Sequence, residues 1–205
     1  MMVFYQEKLV FLSVPKTGST AYERALSARA DMVVSHPQAL RHASVHRYGR
    51  FFAPIYDKAC GVELELMAVI RHPVDWLGSW YRYRRRTALD GHPNSTADMS
   101  FDAFVEAYCL PSQPAYAQVG DQARFLDPHP DGANVAHVFA YEDLKRLNVF
   151  LEKRLGALPD IPHLNVSPAM KLSLSPRIED ALRHQHADAF ALHAAALKGI
   201  TEDNV

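Results

Sequence analysis

The sequence predicts an α/β domain, a parallel central sheet flanked by helices, because three apolar runs each pass directly into a helical pattern. The first run, Leu9 to Val14, is broken by Pro15 and followed by Tyr22, Ala25 and Leu26 at i, i+3, i+4. The second, Leu64 to Ile70, leads into Pro73 and a helix-length segment reaching about Arg86. The third, Val135 to Ala140, leads through Tyr141-Glu142-Asp143-Leu144 into a helix ending at Gly156, with Lys153 and Arg154 suited to its C-terminal dipole. In such sheets ligands sit at the carboxyl ends of the strands.

Composition sets the outer bounds. The 205 residues suffice for a single domain, 1–205, with a sizeable core. A net charge of −1 argues against a general nucleic-acid coat. Cys60 and Cys109 lack metal-ligand spacing and read as small buried hydrophobes in a reducing compartment. The first apolar run is too short for a signal peptide, and nothing approaches the ~20 apolar residues of a membrane span. The expectation is a cytoplasmic protein with no membrane span.

The first strand ends in Lys16, Thr17, Gly18, Ser19 and Thr20, just where a helix begins. The first amides of a helix have no intrahelical acceptor, and the dipole adds partial positive charge, so an anion is the expected guest. Gly18 allows close backbone approach, Lys16 supplies a point charge, and the hydroxyls of Thr17, Ser19 and Thr20 supply donors. The nucleoside-triphosphatase loop G-x-x-x-x-G-K-[ST] does not fit, since the lysine here precedes the glycine.

Met32 to Val34 is a short strand candidate, followed by His36, His42 and His46. His42 and His46, spaced i, i+4, could face one metal on a helix, but no third ligand and no H-E-x-x-H glutamate accompany them, so no metal is expected. A histidine near an anion loop is instead a candidate general base.

Pro73 suits the first turn of the second helix. At 100° per residue, Asp75, Ser79, Arg82 and Arg86 share one face, with Trp76, Trp80 and Tyr83 beside it. The arginines from Arg82 to Arg86 point to a polyanionic ligand or an acidic substrate. Ser100 is placed to cap a helix through Tyr108, and Leu110 to Gly132 reads as irregular structure on the substrate side. Ser175 and Pro176 open a last helix.

Two of these segments carry a family pattern. Pro15-Lys16-Thr17-Gly18-Ser19-Thr20, directly after a first strand, resembles the 5′-phosphosulfate loop of sulfotransferases that use 3′-phosphoadenosine 5′-phosphosulfate (PAPS). Arg71-His72-Pro73, with Ser79 inside the next helix, resembles the motif by which that family grips the 3′-phosphate. The physics agrees: a guanidinium forks onto phosphate oxygens and a hydroxyl adds a bond. The resemblance, closest to the glycan/Golgi-type and bacterial soluble branches, covers landmarks from residue 9 to about 195 and implies a P-loop-like, three-layer fold.

It also implies roles. Lys16 to Thr20 would hold the 5′ end of PAPS, and Arg71 and Ser79 its 3′-phosphate. Asn165-Val166-Ser167 resembles the family's "N-x-S" segment, and Lys171 in the loop after it is a nucleotide-binding candidate. Lys16 would neutralise charge on the leaving phosphate while an acceptor hydroxyl or amine attacks sulfur in line. Family members use a histidine or a glutamate as base. Arg41-His42-Ala43-Ser44 resembles the "H-x-S" stretch of the glycan 2-O-sulfotransferase branch, so His42 is chosen over His46 and His36, with Glu23 as the carboxylate alternative. The acceptor, a small molecule or a glycan, is not encoded in any readable motif, nor is the oligomeric state. Two other readings stand beside this one: a P-loop kinase or nucleoside triphosphatase, and a non-catalytic module binding nucleotide or nucleic acid.

Overall fold

The structure, a computed structural model, describes residues 1–162 and 170–199. At its centre are the strands β1 (Met2–Phe4), β2 (Leu9–Leu12), β3 (Met32–Val33), β4 (Glu65–Ile70) and β5 (Val135–Ala140), in spatial order β3-β1-β2-β4-β5. The helices in the first half are α1 (Ser19–Leu26), α2 (Gln38–Arg41), α3 (Val45–Phe51) and α4 (Ala53–Cys60). After β4 come α5 (Pro73–Arg84), α6 (Phe101–Tyr108), α7 (Gln122–Phe125), α8 (Leu144–Leu155), α9 (Pro176–Gln185) and α10 (Ala187–Lys198).

The core of the sheet is parallel, as expected: β2 pairs with β4 and β4 with β5. One edge is not. β1 runs antiparallel to both β2 and β3, with Met2 opposite Phe11 and Val33. This hairpin was not legible in the sequence, because its turn contains no glycine, asparagine or proline. Lys8 closes it instead, with its N–H on Tyr5 O at 3.1 Å and a left-handed φ of 52°.

Alternate residues of the strands feed two cores. Val10, Leu12, Leu66, Ala68, Ile70 and Val138 pack on one face with Val45 and Tyr48 of α3. Phe11, Met67 and Val69 pack on the other with Tyr22 and Leu26 of α1 and Leu147 and Leu151 of α8. That gives three layers and explains why β2 reads as a continuous apolar run. Each fully buried large side chain adds ~1.5–3 kcal/mol over leaving it in water. A third cluster, around Trp76, Tyr81, Phe104 and Leu182, joins α5, α6 and α9 beside the sheet.

Several elements differ in detail from the sequence reading. α5 stops at Arg84; the Arg84 side chain donates to Ala115 O and Gln118 O, and that of Arg85 to Thr96 O. These two arginines tie down loops, so they leave the polyanion-binding set. The last helical region is two helices, broken at His186. Ser100 does cap α6, accepting from Ala103 N at 3.1 Å. Cys109 is half-buried but Cys60 is exposed, which corrects the expectation that both are buried. Among the described residues, no helix is long and apolar enough to cross a membrane.

Candidate active site

β2 and β4 are neighbours, so the loops that follow them open side by side at the carboxyl edge of the sheet. After β2 the chain turns sharply: Lys16 has φ 67° and Gly18 φ 78°, both left-handed. Gly18 is the N-cap of α1, and no side chain caps the helix amides. A Cβ at Gly18 would lie 3.0 Å from the Tyr141 ring. Thr17 is buried and donates its hydroxyl to Val14 O at 2.9 Å, so its side chain shapes the loop. Ser19 and Thr20 line the cavity that the loop borders.

That cavity encloses about 560 Å³ and brings together Lys16, Gly18, Ser19, Thr20, Arg71 and Ser79, which lie far apart in the sequence. His42 and Arg41 come in from the α2–α3 turn, Trp80 and Tyr83 from α5, Arg86 from just beyond its end, and Tyr141 from the strand β5 side. Among the described residues, no carboxylate lines it. Lys171 is exposed and is not among the lining residues, and Asn165-Val166-Ser167 falls outside the described residues.

The charge balance is strongly one-sided. Burial lowers the Lys16 pKa to about 8, with Arg86, Arg71 and Arg82 adding like-charge repulsion. Its ammonium sits over the Tyr83 ring at 4.2 Å and the Trp80 ring at 5.6 Å. Arg71 lies over Tyr141, its Cζ 4.6 Å from the ring centroid. Arg71 Nε, Trp80 Nε1 and Arg82 Nη1 are buried donors with no partner among the described residues. Buried donors are rarely left so, and the two on residues lining the cavity, those of Arg71 and Trp80, suit an anionic guest.

His42 lines this cavity, with Nδ1 2.7 Å from Ser13 O. A carbonyl oxygen only accepts, so the proton is on Nδ1 and Nε2 keeps its lone pair. Burial lowers the His42 pKa; the Ser13 bond opposes that, and Arg41 reinforces it. The alternatives are placed otherwise. His46 packs edge-on against His129, with centroids 5.3 Å apart, and His36 is exposed; neither lines the cavity. Glu23 is engaged by Arg41 at 3.1 Å and by the Ser35 hydroxyl. α2 ends at Arg41 and α3 begins at Val45, so His42 and His46 do not share a helix. Among the described residues, no group of three metal-capable side chains occurs.

A family model described as the sulfotransferase family matches residues 1–194. The chain belongs to the sulfotransferase family. Searches of curated proteins and of solved structures each return no match.

Behind the cavity of this sulfotransferase-family chain is a supporting layer that the sequence did not reveal. Gln122 of α7 accepts from Arg71 N at 2.9 Å and donates to Arg71 O at 2.8 Å, fixing the peptide where β4 ends. Glu142, next to Tyr141, accepts from His72 N and bonds the buried His193 of α10, each contact 2.9 or 2.8 Å long. Burial raises the Glu142 pKa, but those bonds outweigh it and hold the carboxyl low. Asp121 caps α7 and bonds His186 at 2.9 Å. Gln122 and Glu142 have no sequence signal, since each acts on a backbone group brought close only by the fold.

Proposed function

We propose that this sulfotransferase moves a sulfuryl group from PAPS to a hydroxyl or amine of a glycan or small-molecule acceptor. The observation that carries the reading is one cationic cavity, without a carboxylate among the described residues, lined by Lys16, the Gly18–Thr20 turn, Arg71, Ser79 and a base-competent His42. Its size and its unpartnered donors fit a bisphosphorylated nucleotide. PAPS would supply an activated sulfuryl group on a good leaving phosphate.

In this reading the α1 amides, Ser19 and Thr20 hold the 5′ end, and Arg71 and Ser79 hold the 3′-phosphate. Lys16 places its ammonium where negative charge grows on the leaving oxygen, the position at which fixed charge lowers the barrier most. His42 Nε2 takes the acceptor proton. Thr17 contributes through the shape of the turn, and Lys171 is a less direct candidate for the nucleotide. No resident metal is required by this division of labour.

The test is a donor–acceptor assay with labelled PAPS across neutral sugars, acidic glycans, phenols and amines, run with and without a chelator. Transfer that survives chelation is expected. Transfer from ATP in place of PAPS, or strict dependence on magnesium, would favour the kinase alternative.

A further inference from the structure

A second cavity, of about 420 Å³, lies at the opposite, amino edge of the sheet. Its floor is apolar: Leu64 and Leu66 at the entry to β4, with Val62 beside them. α3 and α4 supply Tyr48, Tyr56 and Asp57 as walls, and Glu63, two residues before β4, stands at the rim. A volume of this order is typical of small-molecule sites, about 300–1,000 Å³.

Tyr48 makes this more than a surface dent. It is 2% exposed, it lines the cavity, and its hydroxyl makes no hydrogen bond to any described residue. Buried tyrosine hydroxyls usually find a partner, and this one is not fully enclosed, so it stays open to a guest in the cavity. Burial raises its pKa, with Tyr56, Asp57 and Glu63 adding to the shift, so the phenol stays neutral and can accept a hydrogen bond. Asp57 and Glu63 are exposed and form no ion pair among the described residues, whereas Asp131 has His129 at 3.7 Å. Lys58 also lines the cavity but leaves the carboxylates in excess. The wall is set firmly: a Cβ at Gly49 would lie 2.7 Å from the His129 ring, so that ring is closed against the α3 backbone.

We propose that this cavity is a second binding site, for an organic ammonium ion. The ammonium donates to the Asp57 and Glu63 carboxylates and to the Tyr48 oxygen, and the apolar body lies on Leu64 and Leu66. An inorganic cation fits less well, because no metal-capable cluster occurs among the described residues. The proposal is independent of the sulfuryl-transfer site, which lies at the other end of the strands.

Isothermal titration of the full chain with 2-phenylethylamine, and with 3-phenylpropionate as its charge-reversed counterpart, tests this. The amine is expected to bind and the carboxylate not. Asp57→Asn combined with Glu63→Gln should weaken the amine by roughly tenfold or more, as expected for lost charge-assisted bonds. Tyr48→Phe should weaken it severalfold. Saturating 3′-phosphoadenosine 5′-phosphate should leave the amine affinity unchanged, and nucleotide binding by each variant serves as the folding control. Equal binding of both probes, no amine binding at millimolar concentration, an unaffected double variant, or competition with the nucleotide each overturns the proposal.

Discussion

At His42 a single contact decides which nitrogen is available. With Nδ1–H given to Ser13 O, Nε2 is the basic atom, and burial lowers the pKa from 6.5. A lowered histidine pKa means that the neutral imidazole persists as pH falls below 6.5, so the acid limb of kcat/KM should lie below that value. The same shift makes His42 a small destabilising load in acid, since protonation favours the unfolded chain there. His42→Ala should lose about 10²–10⁴-fold in turnover on the true acceptor while keeping nucleotide affinity. Near wild-type turnover by that variant would remove His42 as the base. Lys16 sets the other limb. With its pKa near 8 in the free protein, kcat/KM for the donor should fall as pH rises through that value. A bound polyanion raises the lysine pKa, so kcat should stay level to higher pH. Lys16→Ala should erase the alkaline limb and lower turnover more than nucleotide affinity; equal losses in both would make Lys16 a binding residue alone.

At the scale of elements, Arg71 stands where β4, α5 and α7 meet, and its backbone is set by Gln122. Gln122→Ala leaves an N–H and a C=O without partners, each a penalty of ~1–3 kcal/mol if it stays buried. The expected result is a lower melting temperature and a reduced preference for 3′-phosphoadenosine 5′-phosphate over AMP, although Gln122 is not among the cavity-lining residues. Arg71→Ala should abolish the preference outright. If titration calorimetry finds the Gln122→Ala preference unchanged, the clamp serves stability only. The legibility of these elements follows from how their signals arise. β2–α1, β4–α5 and β5–α8 were readable because each couples an apolar run to an abrupt turn signal. β1 was missed because it is three residues long and its turn relies on Lys8 in a left-handed conformation. Lys16, Ser19, Thr20, Arg71 and Ser79 were readable as short motifs with fixed spacing. Gln122, Tyr141 and Glu142 were not, since their partners lie 51 to 70 residues away in the chain. Arg84 and Arg85 misled for a related reason: sequence shows a charge but not the carbonyls it will meet.

For the whole molecule, a net charge of −1 conceals a cavity lined by Lys16, Arg41, Arg71 and Arg86 and, among the described residues, by no carboxylate. Arg41 is answered by Glu23, which leaves three cations facing one another across low-dielectric walls. Such an arrangement concentrates positive potential and draws in a polyanion, and it repels itself until one arrives. Nucleotide binding should therefore be visible as stability. A ligand that binds only the native state adds RT ln(1 + [L]/Kd), about 2.7 kcal/mol at a hundred times Kd. In thermal-shift measurements 3′-phosphoadenosine 5′-phosphate should raise the melting temperature well above the effect of AMP at equal concentration. Because much of the attraction is charge, the gap should narrow as salt rises, though less than for exposed pairs, since buried charges are screened weakly. Lowering the repulsion by Arg86→Ala should raise the Lys16 pKa and stabilise the ligand-free protein, while shrinking the nucleotide-induced shift. Equal shifts from AMP and the bisphosphate, insensitive to salt, would mean that the cationic cavity does not read the 3′-phosphate at all.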